Sequence, residues 1–580
     1  MRKADSSYFH VSYSGKKVLV LVPHQDDEIN VAAISIQNFV HSGAEVFVAY
    51  STNGDNRYSA ETRIAEALAS LSVLGVKHSN IFILGYGDTM IDLSLGKTKH
   101  IFDYEDVPLQ YPNSRTETYG ISGVHDFAYL TRKEHSKYCR RDYLRDLREL
   151  ILYVKADIIL CVDFDYHVDH RMLSLSFETV MGEILSRPNN DYMPEVFKRF
   201  AYSTAWYAVH DFFSDNLKET QKPSDRMIDS SCYSWDERVR IPAPENSRCT
   251  TLKNNTTAFA LRQHKSQQAL CFAAEAVINS DEIFFRRCTD SLTYSAKVTA
   301  SSGKAEYVND FMLLNVSDIY SEFPKWENYL WIPEPDDKDK IIRFHWEEGQ
   351  RISYLRLWGN IEGEPVKRIK IFTDTGHESE YGPLPARGLP LDIKIPEQLN
   401  VTELTVKIIE QGSTESGFSE IEIFEHEEQK PVLMPFIQIT SSGNFIYDYR
   451  RKHEEKIIPV ECYSYRVSSP VHYDIQGPAH FDGMNLVFDG DDDVILRAYT
   501  EDNNIFCQSV FHTASEEEFR HLHSLQRREQ KRIKRAVAYY SNKGIIRHII
   551  MKYTKIFKDQ GIVCTFRRIA KRITDMLLRR

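Results

Sequence analysis

Lys17-Val18-Leu19-Val20-Leu21-Val22 runs without a break into Pro23-His24-Gln25-Asp26-Asp27-Glu28, and Ile158-Ile159-Leu160-Cys161-Val162 leads in the same way to His167-Val168-Asp169-His170. Both apolar runs have the length and composition of buried strands. After the first cluster Ile29, Ala32, Ala33, Ile36 and Val40 recur at helical spacing, and Gly43 offers a left-handed stop. After the second, Leu173, Phe177, Val180 and Ile184 repeat the pattern. Each cluster therefore falls on a strand-to-helix turn. In an open parallel sheet ligands gather beyond the carboxyl ends of strands, so two such turns converge however far apart they lie in the chain. The expectation is an α/β domain with a Rossmann-like parallel sheet.

The two clusters together hold the inventory of a hydrolytic metal site. A zinc ion that activates water takes three ligands from imidazole nitrogen and carboxylate oxygen and keeps one position open. Two histidines and one aspartate can bind here while another aspartate stays free. Taken alone, Asp26, Asp27 and Glu28 could merely complement the positive end of the following helix. The second His-x-x-His at another strand end favours the metal reading. Glu28 is open between solvating that helix end and backing a ligand.

PHQDDE with a later HVDH resembles the zinc-dependent de-N-acetylases of the PIG-L, or LmbE-like, family. Further agreement comes from Thr52-Asn53-Gly54 after a strand at Glu45 to Tyr50, from Arg63 and Glu66 in an Arg-x-x-Glu helix ending in Leu74-Gly75, and from Asp281-Glu282-Ile283-Phe284-Phe285-Arg286-Arg287. The resemblance covers residues 15 to 292. It implies that His24, Asp27 and His170 bind zinc, with iron(II) as the alternative metal. It further implies that Asp26 is the general base, that His167 donates to the oxyanion, and that Asp169 orients an imidazole. Arg63 and Asn53 become candidates for substrate binding, although Arg63 and Glu66, three apart on a helix, also read as a surface pair. Some members place a tyrosine two residues before the first histidine of the second motif, where this chain has Asp165, with Tyr166 adjacent. The insert between the motifs contains Thr118-Tyr119-Gly120 and reads as a substrate-facing loop, with His125 and His135 as surface residues.

At 580 residues and 42% hydrophobic, the chain has room for about three or four ordinary cores. Nine cysteines form no Cys-x-x-Cys pair, which points away from a disulfide framework or a cysteine zinc site and toward a reducing compartment. The first residues lack the apolar centre of a signal peptide, and there is no run of about 18 apolar residues. The expected location is cytoplasmic, peripheral on the inner face of the membrane.

Four domains are expected: the deacetylase-like unit at 1–292, a galactose-binding or discoidin-like β-sandwich at 293–429, a small immunoglobulin-like β unit at 430–513 and a basic amphipathic helical tail at 514–580. In the second, Ile341 to Trp346, Ile352 to Trp358, Val366 to Phe372 and Leu404 to Ile409 read as short strands between Gly, Pro and acidic turns. Trp326, Trp331, Trp346 and Trp358 lie there and could stack on sugar rings, with core packing the commoner use. In the third, Asp489-Gly490-Asp491-Asp492-Asp493 reads as a solvated acidic turn in preference to a calcium loop.

From Ser524 to Arg580 there are 17 Lys+Arg against 3 Asp+Glu, a net +14 that leaves −25 for the rest of a chain whose total is −11. Ile545, Ile546, Ile549, Ile550, Tyr553, Ile556 and Phe557 line one helical face. A basic amphipathic helix suits an anionic membrane surface, ahead of packing on protein; nucleic acid is not expected as a partner. These features point to a metal-dependent hydrolase that removes acetyl from an N-acetylglucosamine-type sugar in a lipid-linked or polymeric cell-surface glycan. The alternatives are a soluble amino-sugar conjugate as substrate, or a non-catalytic glycan-binding or assembly protein. The sequence does not set the oligomeric state.

Overall fold

The apolar run Lys17–Val22 forms β1 at the centre of a seven-stranded sheet in the computed structural model, and its last five residues are buried. The structure describes residues 12–88, 115–165, 167–201, 220, 232–247, 255–267, 269, 277–313, 330–361, 363–427, 436–441, 457–465, 467–490, 492–502, 505–511 and scattered positions from 517 to 528. The chain continues through α1 (Asp27–His41), β2 (Glu45–Thr52), α2 (Ala60–Leu74), β3 (Ile81–Tyr86), α3 (Phe127–Arg132), α4 (Arg140–Val154), β4 (Ile158–Val162), α5 (Val168–Leu185), β5 (Glu195–Arg199), β6 (Val239–Pro242), α6 (Thr256–Leu261) and β7 (Asp281–Arg287). The sheet order is β3-β2-β1-β4-β5-β7-β6. β1 pairs in parallel with β2 on one side, Val22 opposite Tyr50, and with β4 on the other, Leu21 opposite Cys161. Order therefore reverses at β1, and the crevice beyond β1 and β4 is where such sheets bind ligands.

One correction concerns the sheet itself. β7 runs antiparallel to both β5 and β6, so the sheet is mixed. β7 carries the Asp281 to Arg287 segment, and its Glu282 accepts from the backbone N–H groups of Ile34 at 2.8 Å and Ser35 at 2.9 Å. Those donors are exposed where α1 kinks at Ala32, which has non-helical φ −146°. At the end of α1 Gly43 takes φ +86°, the left-handed stop read from sequence.

Beyond β7 the strands are antiparallel. β8 (Lys297–Ala300), β9 (Ile341–Gly359), β10 (Arg368–Thr373), β11 (Glu378–Tyr381), β12 (Leu391–Glu410) and β13 (Phe418–Phe424) enclose a second core. The two short strands expected at Ile341 to Trp346 and Ile352 to Trp358 are one element, β9, and Leu404 to Ile409 belongs to the longer β12. Register shifts between Lys394, Gln398, Val401 and Glu403 let these two strands bend without breaking. Trp331, Trp346 and Trp358 are all buried, with their ring N–H groups donated to Ser302 O, Leu292 O and Glu422 Oε2. They serve packing, and Trp326 lies outside the described residues.

The third core lies between a four-stranded sheet, made of β14 (Phe436–Ser441), β15 (Ile457–Tyr465), β17 (Ala479–Asp482) and β18 (Asn485–Phe488), and a three-stranded one, made of β16 (Val471–Gln476), β19 (Val494–Thr500) and β20 (Phe506–Phe511). His480 donates to Asp489 in the acidic turn, while Asp491 lies outside the described residues. So does nearly all of the basic tail read at 514–580.

The first two cores touch directly. Phe311, Met312 and Leu313, which follow β8, are buried in the core of the N-terminal sheet. Gly182 on α5 lies so close to this strap that a Cβ there would stand 2.2 Å from Asp310 O. Arg356 on β9 donates to Glu237 at 2.5 Å and to Asp392 at 2.8 Å. No described helix is long and apolar enough to cross a membrane.

Candidate metal centre

The turn after β1 is held open by its neighbour: Thr52 of β2 donates its N–H at 3.0 Å and its hydroxyl at 2.9 Å to Pro23 O. Asp26 then takes φ +154°, a costly conformation for a residue with a Cβ and a recurrent mark of functional turns. The effect is to send two adjacent carboxylates in different directions. Asp27 points inward and is fully buried, whereas the Asp26 side chain keeps 15% of its surface exposed.

Asp27 Oδ2 lies 2.9 Å from His24 Nδ1 and 3.2 Å from His170 Nε2, so the three groups converge on one point from two turns. The far nitrogen of each imidazole meets another carboxylate. His24 Nε2 is 3.0 Å from Asp169 Oδ2, and His170 Nδ1 is 2.7 Å from Asp165 Oδ2. His167 caps α5: its Nδ1 accepts from the Asp169 N–H at 3.3 Å, which leaves Nε2 as the N–H. Candidate ligand atoms of His24, His167 and His170 lie within 4.8 Å of one another, as do those of His24, Asp88 and Asp169. Exposure separates the histidines, since the His167 side chain is 33% exposed and that of His170 is wholly buried.

Charge follows the geometry. Burial works against a charged His170, but Asp165 and Asp27 outweigh it and raise its pKa to about 10. Burial likewise opposes a charged His24, and Asp88, Asp169 and Asp27 hold it up. Asp27 is pulled well below the carboxylate range by His170 and His24 despite its burial. Asp26 moves the other way, raised chiefly by burial. Although a third of its side chain is exposed, His167 is pushed down to about 3 by partial withdrawal from water and by the neighbouring His24 and His170, in keeping with an Nδ1 that accepts from the Asp169 N–H. Two adjacent carboxylates with opposite shifts suit one to bind and the other to move a proton.

The surrounding residues bear on the remaining expectations. Arg63 and Glu66 do not form a surface pair: Arg63 is buried and donates to Asp26 Oδ1 at 3.2 Å, while Glu66 accepts from the Ser266 N–H at 2.8 Å and hydroxyl at 2.6 Å. Asn53 is buried and spends its amide N–H groups on Tyr119 O at 2.9 Å and Gly85 O at 3.3 Å, which makes it a brace between loops. Glu28 is buried and accepts from His264 Nε2 at 2.6 Å, so it is no solvated helix end. His125 and His135 are exposed, each packs against Tyr129, and His135 pairs with Asp126 at 2.8 Å. Tyr119 donates to Asp55 at 2.5 Å, close to the cluster, and Tyr166 falls outside the described residues.

Three participants escape a reading of the sequence. Asp88, with Oδ1 3.6 Å from His24 Nε2, follows the end of β3, so strand-end logic could have flagged it; burial lifts it to about 6. Asp165 was visible only as a position of departure. His264 carries no local signal, because its partner Glu28 is brought to it by the packing of α6 on α1.

Of the expected ligands, His24 and His170 fall together in the group with His167, and Asp27 falls in neither group, although its Oδ2 lies 2.9 Å and 3.2 Å from their nitrogens; imidazole and carboxylate donors so placed suit a divalent transition metal such as zinc. Residues 19–181 match the family model PIG-L: GlcNAc-PI de-N-acetylase, and the resemblance read from PHQDDE and HVDH stands on that match. Among solved structures, the chain is similar to N,N'-diacetylchitobiose deacetylase from Pyrococcus horikoshii at 20% identity over 32% of this chain, with TM-score 0.21; the alignment spans 60% of that chain. It is also similar to a deacetylase of the teicoplanin biosynthesis pathway at 14% identity over 44% of this chain and 87% of that one, with TM-score 0.27. A family 32 CBM from C. perfringens NanJ in complex with galactose aligns at 13% identity over 22% of this chain and 92% of that one, with TM-score 0.18. No curated protein matches the chain.

Proposed function

We propose that this chain is a metal-dependent N-deacetylase acting on an N-acetylated amino sugar of the N-acetylglucosamine type. The observation that carries the reading is the meeting of His24 Nδ1, His170 Nε2 and Asp27 Oδ2 at one buried point, beside a second, partly exposed carboxylate, Asp26. His24, Asp27 and His170 would hold the metal, which when bound acidifies water and polarises the acetamide carbonyl. Asp26, raised by burial and steadied by Arg63, takes the proton of the attacking water and returns it to the leaving amine. His167 presents Nε2–H, since its Nδ1 accepts from the helix, and this donor would hydrogen-bond the oxygen that becomes negative. Asp169 fixes the far nitrogen of His24.

The substrate reading is a lipid-linked or polymeric glycan, supported by the β-rich domains and by the basic tail at 524–580, which would rest on an anionic membrane. The test is amine formation by zinc-reconstituted protein on free, nucleotide-linked, lipid-linked and oligomeric N-acetylglucosamine compounds. Turnover on the last two alone supports the glycan reading; turnover only on free or nucleotide-linked sugar replaces it with a soluble conjugate. Sugar binding without any turnover would make the chain a glycan-binding protein.

A further inference from the structure

Asp165 stands three residues beyond β4 and is fully buried, and each oxygen of its carboxylate has a donor. Oδ1 accepts from the His167 N–H at 2.8 Å. Oδ2 accepts from His170 Nδ1 at 2.7 Å and from the Ala201 N–H at 3.2 Å. Its carbonyl oxygen accepts from Arg171 Nε. One side chain thus joins the turn after β4, the first turn of α5 and Ala201, two residues past the end of β5.

The contact with His170 has a chemical consequence. A carboxylate oxygen 2.7 Å from Nδ1 is favourable only when that nitrogen carries the proton, because two facing lone pairs would repel. With the proton held there, Nε2 is the nitrogen left to share a metal with Asp27 Oδ2, 3.2 Å away. The opposite tautomer would turn an N–H toward the ligand position. His24 receives the same treatment from Asp169, so each buried imidazole has its own carboxylate behind it.

We infer that Asp165 is a positioning residue for the metal centre, acting through His170: it selects the tautomer and fixes the ring so that Nε2 is a ligand. This rests on the metal-site reading above, not on the identity of the substrate. A carboxylate behind a metal-binding histidine also raises the basicity of the ring, and removing such a partner typically weakens metal binding by about 10–100-fold. Because the contact is buried and made to a ring nitrogen, water does not replace it at no cost.

The test measures zinc affinity by competition with a chromophoric chelator for the full-length chain, Asp165→Ala and Asp165→Asn, with urea unfolding of each metal-free protein alongside. Asp165→Ala should weaken zinc binding by about 10–100-fold. Asp165→Asn preserves shape and one acceptor and should fall between it and the natural protein, which also covers the case in which the alanine variant does not fold. Zinc affinity unchanged in Asp165→Asn, even with a lowered unfolding midpoint, would reduce Asp165 to a structural role and overturn the inference. If the natural chain binds zinc tightly, loses affinity on substitution and still hydrolyses no acetamide, the proposed function fails and the role of Asp165 stands. A natural chain that binds no zinc overturns both.

Discussion

Arg63 Nη2 reaches 3.2 Å from Asp26 Oδ1 across two separate elements, the end of the first turn of α2 and the turn after β1. Both side chains are largely withdrawn from water, so the guanidinium fixes the orientation of the carboxylate as well as its charge. The pair depends on Gly54, at φ +61°, where a Cβ would stand 2.2 Å from Gln25 Oε1 and 2.8 Å from Arg63 Nε.

Arg63→Ala should therefore cut kcat by about 100-fold, within the range by which a positioned acid or base contributes, and leave the bound metal unchanged. Gly54→Ala should reproduce a milder form of the same loss. Steady-state kinetics with metal analysis decides between them; an Arg63→Ala enzyme with unaltered kcat and a raised KM would make Arg63 a substrate contact alone.

The buried pair of His264 and Glu28 should matter to stability. Burial works against a charged His264 and Glu28 outweighs it, so its pKa is raised, and its loss leaves a buried carboxylate without this partner next to the centre. His264→Ala should lower unfolding free energy by about 3–5 kcal/mol, read from urea denaturation. A change under about 0.5 kcal/mol, the scale of surface substitutions, would mean that Glu28 finds another partner.

Acid should act through Asp163. This carboxylate is opposed by burial but pulled below its usual range by Lys198 at 3.0 Å, by the Phe164 N–H and by the Tyr233 hydroxyl. A folded-state value below the unfolded one stabilises the fold fully above the ordinary carboxylate range and is lost as pH falls through the folded value. Thermal midpoints followed from neutral pH downward should drop more steeply for the natural protein than for Asp163→Asn. Parallel curves would remove Asp163 from the account of acid unfolding.

The tryptophans of the second core give a prediction of a different kind. Trp346 is 2% exposed, so Trp346→Ala should destabilise that core by about 3–5 kcal/mol. Loss of glycan binding with unchanged unfolding would show instead that the ring meets a ligand.

Much of the centre was legible because it follows local rules. Lys17–Val22 and Ile158–Val162 are apolar on both faces, their turns carry polar clusters, and strand order alone brings these turns together. The strand boundaries of the second core were not legible, since Glu347 to Gln350 look like a turn and yet lie within one strand, β9, whose pairing with β12 at His345 resumes at Gln350. Asp88, Asp165 and His264 were missed for a related reason. Asp88 and His264 gain their roles from partners delivered by tertiary packing, while Asp165 meets His170 only through the turn into α5, and an isolated aspartate or histidine looks the same in sequence whether it meets water or a ligand imidazole.

The central claim is that Asp26 moves the proton while His24, Asp27 and His170 hold the metal. Acetate release from the best N-acetylated sugar, measured for zinc-loaded natural protein and Asp26→Ala with metal content determined in the same samples, tests it most directly. The account predicts equal metal and a loss of turnover of about 100-fold or more in the variant. Full turnover in metal-replete Asp26→Ala would contradict it.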